Sequence, residues 1–218
     1  RRVRNGGTNE HAIQQWILEA FRRENLVTGD PPVVAVNANS ANPHYGPDAN
    51  HSTPIREGDF VLLDIWAKKN TPNAVYYDIT WTGFVGPSPS DRMREIFQIV
   101  RNGRDAGIKF VRDSIGAGKQ IHGWQVDDPV RQSITKAGYG DYFVHRTGHS
   151  IGVEVHGSGA NMDNLEVHDE RRILPNSCFS VEPGIYLQEF GVRSEVNMLV
   201  RSDKAEVTGR MQSELVII

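Results

Sequence analysis

A chain of 218 residues is long enough for one domain with a substantial core. Its 27 acidic and 24 basic residues leave a formal net charge of −3, so nothing in the balance draws it to nucleic acid or to an anionic membrane. Hydrophobic residues at 38% exclude a disordered or fibrous chain, no apolar run approaches the ~18 residues of a membrane span, and the single cysteine, Cys178, excludes an internal disulfide.

The compartment read from this is cytoplasmic, although the chain opens Arg-Arg-Val-Arg without a methionine. It therefore reads as a fragment or processed form, in which an upstream signal would be invisible.

Thr8 is the expected N-cap of a helix from about Asn9 to Glu24, whose apolar residues Ile13, Trp16, Ile17, Ala20 and Phe21 recur at helical spacing. A strand over Val33–Val36 leads into a small-polar stretch containing His44. Gly58 to Trp66 reads as a buried strand that carries Asp64, and Val75 to Val85 as its returning partner with Asp78 inside, a hairpin turned over Lys68 to Asn73. Ser90 caps a helix expected to run to about Asp113, with Gly103 and Gly107 weakening its second half. A shorter helix follows over Val126 to Ala137, where Asp127 and Asp128 read as acids complementing the dipole at its start. Strands are expected over Val144–His156, Cys178–Leu187, Gly191–Val200 and Glu214–Ile218. The order points to one α+β domain over residues 1–218.

Four acids, Asp64, Asp78, Glu182 and Glu195, sit inside segments that otherwise read as core strands. A buried carboxylate normally protonates or finds a cation. Brought together at ~5 Å and an effective dielectric of ~20, each pair would repel by roughly 3 kcal/mol, and bound metal would reverse that sign. His145, His149 and His156 cluster around Gly148 and Gly152, which argue against a metalloprotease helix. One histidine with four carboxylates is an oxygen-rich donor set that suits Mn²⁺ and tolerates Co²⁺, Fe²⁺ or Zn²⁺. The number of carboxylates suggests two ions, roughly 3.5–4 Å apart. Gly116-Ala-Gly118-Lys119 lacks the spacing of a phosphate loop, and Cys178 reads as a small buried hydrophobe rather than a nucleophile.

At these residues the chain resembles the pita-bread metallopeptidases: methionine aminopeptidase, aminopeptidase P, prolidase and the metal-free creatinase. The matching stretches are Leu63-Asp64-Ile65, Asp78-Ile-Thr-Trp-Thr, Gly148-His149-Ser-Ile-Gly, Ser180-Val-Glu182-Pro-Gly-Ile-Tyr and Arg193-Ser-Glu195. The resemblance implies that Asp64 serves one metal, that His149 and Glu182 serve the other, and that Asp78 and Glu195 bridge both. It also implies that His156 contacts the scissile carbonyl and stabilises the intermediate, that His145 lies near the residue after the cut, and that His44 lies near the residue before it. Glu182 is the candidate for moving the proton. Trp81 departs from the family's usual Arg, and the Asp64–Asp78 hairpin is longer than is typical.

His145 and Arg193 match the proline-directed branch, whose members carry an extra N-terminal domain absent from this sequence; Arg193 could also orient the last carboxylate through an ion pair. The expected activity is a dinuclear Xaa-Pro aminopeptidase acting on a peptide with proline in second position. Prolidase is its first alternative, then methionine aminopeptidase, then a non-catalytic binding module. A homodimer is the one macromolecular assembly this resemblance suggests.

Overall fold

The computed structural model describes Val3 and residues 7–218. Helix α1 (Glu10–Arg23) precedes β1 (Leu26–Val27), β2 (Val33–Val36) and a 3-10 turn over Asn37–Ala41. The hairpin of β3 (Phe60–Lys69) and β4 (Tyr77–Phe84) leads into α2 (Asp91–Gly116) and α3 (Gly123–Lys136). Then follow β5 (Ser150–Ile151), β6 (Cys178–Val181), β7 (Gly184–Tyr186), β8 (Gly191–Arg193), β9 (Val196–Val200), β10 (Ala205–Thr208) and β11 (Val216–Ile217). Strand β3 pairs with β1, β2 and β4, and β11 joins β4 in parallel. A second sheet runs β10-β9-β6-β5, and β7-β8 form a separate hairpin. The architecture is α+β, as expected.

Helix α1 lays Ile13, Ile17 and Phe21 against Val34, Val36 and Val61. Its cap is Asn9, whose side chain accepts from the Ala12 N–H, and not Thr8. The Thr8 carbonyl is engaged elsewhere, accepting the Ile55 N–H at 3.0 Å. Helix α2 is capped by Ser90, as read, and runs unbroken through Gly103 and Gly107. The expected weakness there is absent because both glycines serve close packing. A Cβ on Gly103 would stand 3.2 Å from Ile134, and one on Gly107 would stand 2.7 Å from Val130 of α3. Helix α3 starts at Gly123, ahead of the expected Val126, so Asp127 is not at a helix end. It is fully buried.

Two expected strands are interrupted, and both interruptions matter for the site. Cys178–Leu187 divides at Glu182-Pro183, and Gly191–Val200 divides at Ser194-Glu195. β6 pairs with β9 and β7 with β8, so the two glutamates lie where one ribbon forks into two. At the fork their N–H groups leave the ribbon: Glu182 donates to the Thr147 carbonyl at 2.7 Å and Glu195 to Thr80 at 3.3 Å. On β6 and β9, Phe179, Val181, Val196 and Met198 pack toward α2. Period-two alternation then turns Ser180 and Asn197 to the opposite face.

The third correction is Val144–His156, of which only Ser150–Ile151 is strand. Gly148 pairs instead with Met162, and a Cβ there would lie 1.9 Å from the Ser180 carbonyl oxygen.

Gly191 supports the other flank. Its N–H donates to Ser40 Oγ at 2.9 Å, and a Cβ would stand 2.0 Å from the Ser40 carbonyl oxygen. Gly191→Ala is expected to cost about 2–3 kcal/mol, or roughly 5–10 °C in Tm. A thermal melt within a degree or two of wild type would show that the 3-10 turn can move away freely.

Candidate metal centre

The hairpin register sets Asp64 opposite Thr80 and Asp78 two residues before it on the same strand, so both carboxylates share one face. From the fork, Glu195 reaches Thr80, whose hydroxyl donates to Glu195 Oε2 at 2.8 Å. His149 is buried, and its Nδ1–H donates to the Ser150 carbonyl at 3.1 Å. That bond turns Nε2 to 3.2 Å from Glu182 Oε1 and 3.4 Å from Asp78 Oδ2. Ser180 Oγ donates to Glu182 at 2.8 Å and accepts the His149 N–H. Donor atoms of Asp78, His149 and Glu195 all lie within 4.8 Å of one another. Asn197 brackets the Asp78 backbone, its Oδ1 accepting the Asp78 N–H and its amide donating to the Asp78 carbonyl.

Arg193 ties the group together. It donates to Asp64 Oδ2 at 2.5 Å, to Thr80 Oγ1 at 3.0 Å and to the Tyr186 hydroxyl at 2.9 Å. Tyr186 in turn lies 2.7 Å from His145 Nε2. His145 Nδ1 faces the Arg146 carbonyl at 2.7 Å and must donate to it, so Nε2 accepts from Tyr186. No ring N–H of His145 is left over for a leaving group in this arrangement.

His156 is exposed and stands edge-on to His149, with ring centroids 4.4 Å apart. His44 is exposed on the loop after the 3-10 turn, and its side chain makes no hydrogen bond or ion pair among the described residues. Trp81 alternates with Thr80 and Thr82 on β4 and so faces away from the carboxylates. The long hairpin leans on the histidine loop: the Tyr76 N–H donates to Gly152 and Lys68 to the Val153 carbonyl.

A model of metallopeptidase family M24 matches residues 1–202. The chain belongs to metallopeptidase family M24. An Xaa-Pro dipeptidase of Lactobacillus delbrueckii subsp. lactis is 34% identical over 197 residues, covering 88% of this chain and 48% of the relative. The prolidase of Thermococcus sibiricus superposes with a TM-score of 0.82 at 31% identity, over all of this chain and 55% of that one. The X-Pro aminopeptidase of Thermotoga maritima gives 0.84 at 26%, over all of this chain and 57% of that one. The M24 chain thus spans about half the length of the curated relatives it matches, and its fold is the pita-bread fold of these structures.

The residues of this M24 chain fit divalent metal on their own chemistry. Asp64 Oδ1 and Glu195 Oε1 are buried with no hydrogen-bond partner among the described residues, an expense a cation would remove. Burial, and then the charges of Asp64 and Glu182, push Asp78 up to about 7 against the pull of His149. Burial, and then the charges of Asp78, Glu182 and Asp64, hold Glu195 well above the usual carboxylate range, with Arg193 opposing. Asp64 is raised by burial and by Glu182, with Arg193 opposing. Glu182 goes the other way, because His149, His145 and Arg193 together outweigh its burial. His149 is raised, Asp78 and Glu182 outweighing its burial. Burial lowers His145 to about 4, and burial, assisted by His149, lowers His156. Cys178 is pushed up to about 11 by burial, which keeps it a thiol.

The sequence reading missed Thr80, Tyr186, Ser180 and Asn197 as parts of this frame. All lie within or beside the quoted motifs, and the usable signal was polar side chains on the same strand face as the acids.

These shifts have a pH consequence. Raised folded values stabilise below the unfolded pKa and lose that contribution as pH rises through the folded value. Lowered His145 and His156 oppose this only below their ordinary 6.5. Between about pH 6.5 and 8 only raised groups of the cluster titrate, so in a chelator the Tm of the protein is expected to fall across that window. A Tm that rises there would mean that the carboxylates are already ionised without metal.

Proposed function

We propose that this protein is a dinuclear-metal peptidase of the Xaa-Pro dipeptidase, or prolidase, type. The observation that carries the metal half is the pair of buried carboxylate oxygens on Asp64 and Glu195 that have no hydrogen-bond partner among the described residues, beside His149, whose Nδ1–H bond to Ser150 turns Nε2 toward the acids. The proline half is supported by relatives: those named Xaa-Pro dipeptidase and prolidase stand at 34% and 31% identity, and those named putative Xaa-Pro aminopeptidase at 32% and 31%. The highest of these identities belongs to a dipeptidase, which favours the alternative over the aminopeptidase that the sequence reading puts first.

Asp64 would serve one ion, His149 and Glu182 the other, and Asp78 and Glu195 both. Bound divalent ions, Mn²⁺ foremost by the hardness of this donor set, would supply Lewis acidity at the peptide carbonyl and a lowered pKa for the attacking water. Glu182, held ionised at neutral pH by His149, His145 and Arg193, would accept a proton and pass it to the leaving amine. His156 is neutral and solvent-facing beside His149, with an N–H available to a developing oxyanion. Arg193 holds Asp64 in place and, through Tyr186, fixes His145 as an acceptor. His44 lies apart on an exposed loop, consistent with a role in substrate contact rather than in ion binding.

Protein loaded with Mn²⁺ is expected to hydrolyse Xaa-Pro dipeptides and to leave Xaa-Pro-Xaa tripeptides largely intact. Preferential cleavage of the tripeptides would restore the aminopeptidase reading. Release of methionine from Met-Ala-Ser, with Xaa-Pro peptides untouched, would overturn the proline assignment. Glu195→Gln removes a charge shared by two cations. It should lower metal content by elemental analysis and activity by at least about a hundredfold, whereas unchanged metal content would make Glu195 structural.

A further inference from the structure

Asp127 and Arg131, one turn apart on α3, make an ion pair that neither the metal ligands nor the residues facing them include. Asp127 is fully buried in mid-helix, a costly place for a carboxylate without partners. It has four. Its two oxygens accept Arg131 Nε at 2.8 Å and Nη2 at 3.0 Å, together with the backbone N–H groups of Thr147 at 3.0 Å and Asn164 at 3.3 Å. Arg131 spends two of its three remaining donors on carbonyls of the same segment, those of Phe143 at 3.0 Å and His145 at 2.9 Å. Its guanidinium also lies 4.2 Å from the Phe143 ring centroid, and that ring meets the His145 ring edge-on.

Three of the four backbone groups held are on residues 143, 145 and 147, every second residue of a stretch in no sheet. Buried peptide groups need partners, and here a fork of side chains stands where a neighbouring strand would be. The opposite edge of the segment is tied to the site, since the Thr147 carbonyl accepts the Glu182 N–H at 2.7 Å. Two residues on, His149 is bonded through Ser180 to Glu182.

We infer that the Asp127–Arg131 pair is a positioning device for the reaction, setting the backbone that carries His145 and thereby the orientation of its ring toward Tyr186. As a statement about catalysis this rests on the peptidase reading above. As a statement about His145 it does not. A lysine at 131 keeps the charge but cannot reach Asp127 and two carbonyls at once.

The test is a cycle of Arg131→Lys and His145→Ala in Mn²⁺-loaded protein with an Xaa-Pro dipeptide. Arg131→Lys is expected to lower kcat by roughly tenfold to a hundredfold, with KM within about twofold and metal content unchanged. In the His145→Ala background it should add no more than about twofold, because both changes remove the same positioned ring. Wild-type kcat in Arg131→Lys, or losses that multiply, would overturn the inference.

Nitrogen-15 spectra of the histidine rings give an independent arm. Wild type should show His145 protonated at Nδ1 with a slowly exchanging proton, and Arg131→Lys should lose that signature while melting as a folded protein. An unchanged His145 signal would sink the inference. If wild type cleaves no Xaa-Pro peptide yet Arg131→Lys alters the ring, the functional reading falls and the positioning stands. Asp127→Asn, which leaves the fork with a weaker acceptor, should reproduce the ring change if it folds.

Discussion

Repulsion among Asp64, Asp78, Glu182 and Glu195 is the constraint around which this structure is arranged. Two of the four keep a buried oxygen without a protein partner, so the protein does not neutralise the group internally. Arg193 offers one cation and His149 one imidazole nitrogen, too few for four acids. The most stabilising partner for the group is therefore a cation, and the raised values at Asp78 and Glu195 reflect burial and acid–acid repulsion that the protein's own charges do not offset.

Holding such a group together demands rigid support from several directions. Asp64 and Asp78 come from one hairpin, whose register fixes their shared face. Glu182 and Glu195 come from the fork between β6-β9 and β7-β8, where the main chain donates outward to Thr147 and Thr80. The fork lets two adjacent strands each present a carboxylate at the point where their ladder ends. Helix α2 stays close behind it because Gly103 and Gly107 admit α3.

The clustered acids were legible in the sequence for a simple reason: a charge inside Phe60-Val-Leu-Leu-Asp-Ile-Trp66 or Ser180-Val-Glu182 is expensive and so carries information. Asp127 carries the same expense but was hidden, because an acid near a helix start has a ready explanation in the dipole. Its four-residue spacing to Arg131 was the available signal. The break at Pro183 had a local signal, since proline cannot donate to a ladder, whereas the break at Ser194-Glu195 had none and only tertiary pairing divides that run. The run Val144–His156 misled because its Val and Ile residues resemble strand, whereas the backbone there is satisfied by side chains of α3 and by Met162. Exposure of His44 and His156 follows from loops whose course no local pattern records.

We take this carboxylate group to be one that divalent cations neutralise. The most direct test is calorimetric titration of the metal-free protein with Mn²⁺ at about pH 6, repeated in buffers of different ionisation heat to count protons. Because Asp78 is raised to about 7 and Glu195 lies well above the ordinary range, binding should expel at least one proton from the cluster. Mn²⁺ binding with no proton release, or no binding at all, would contradict the account.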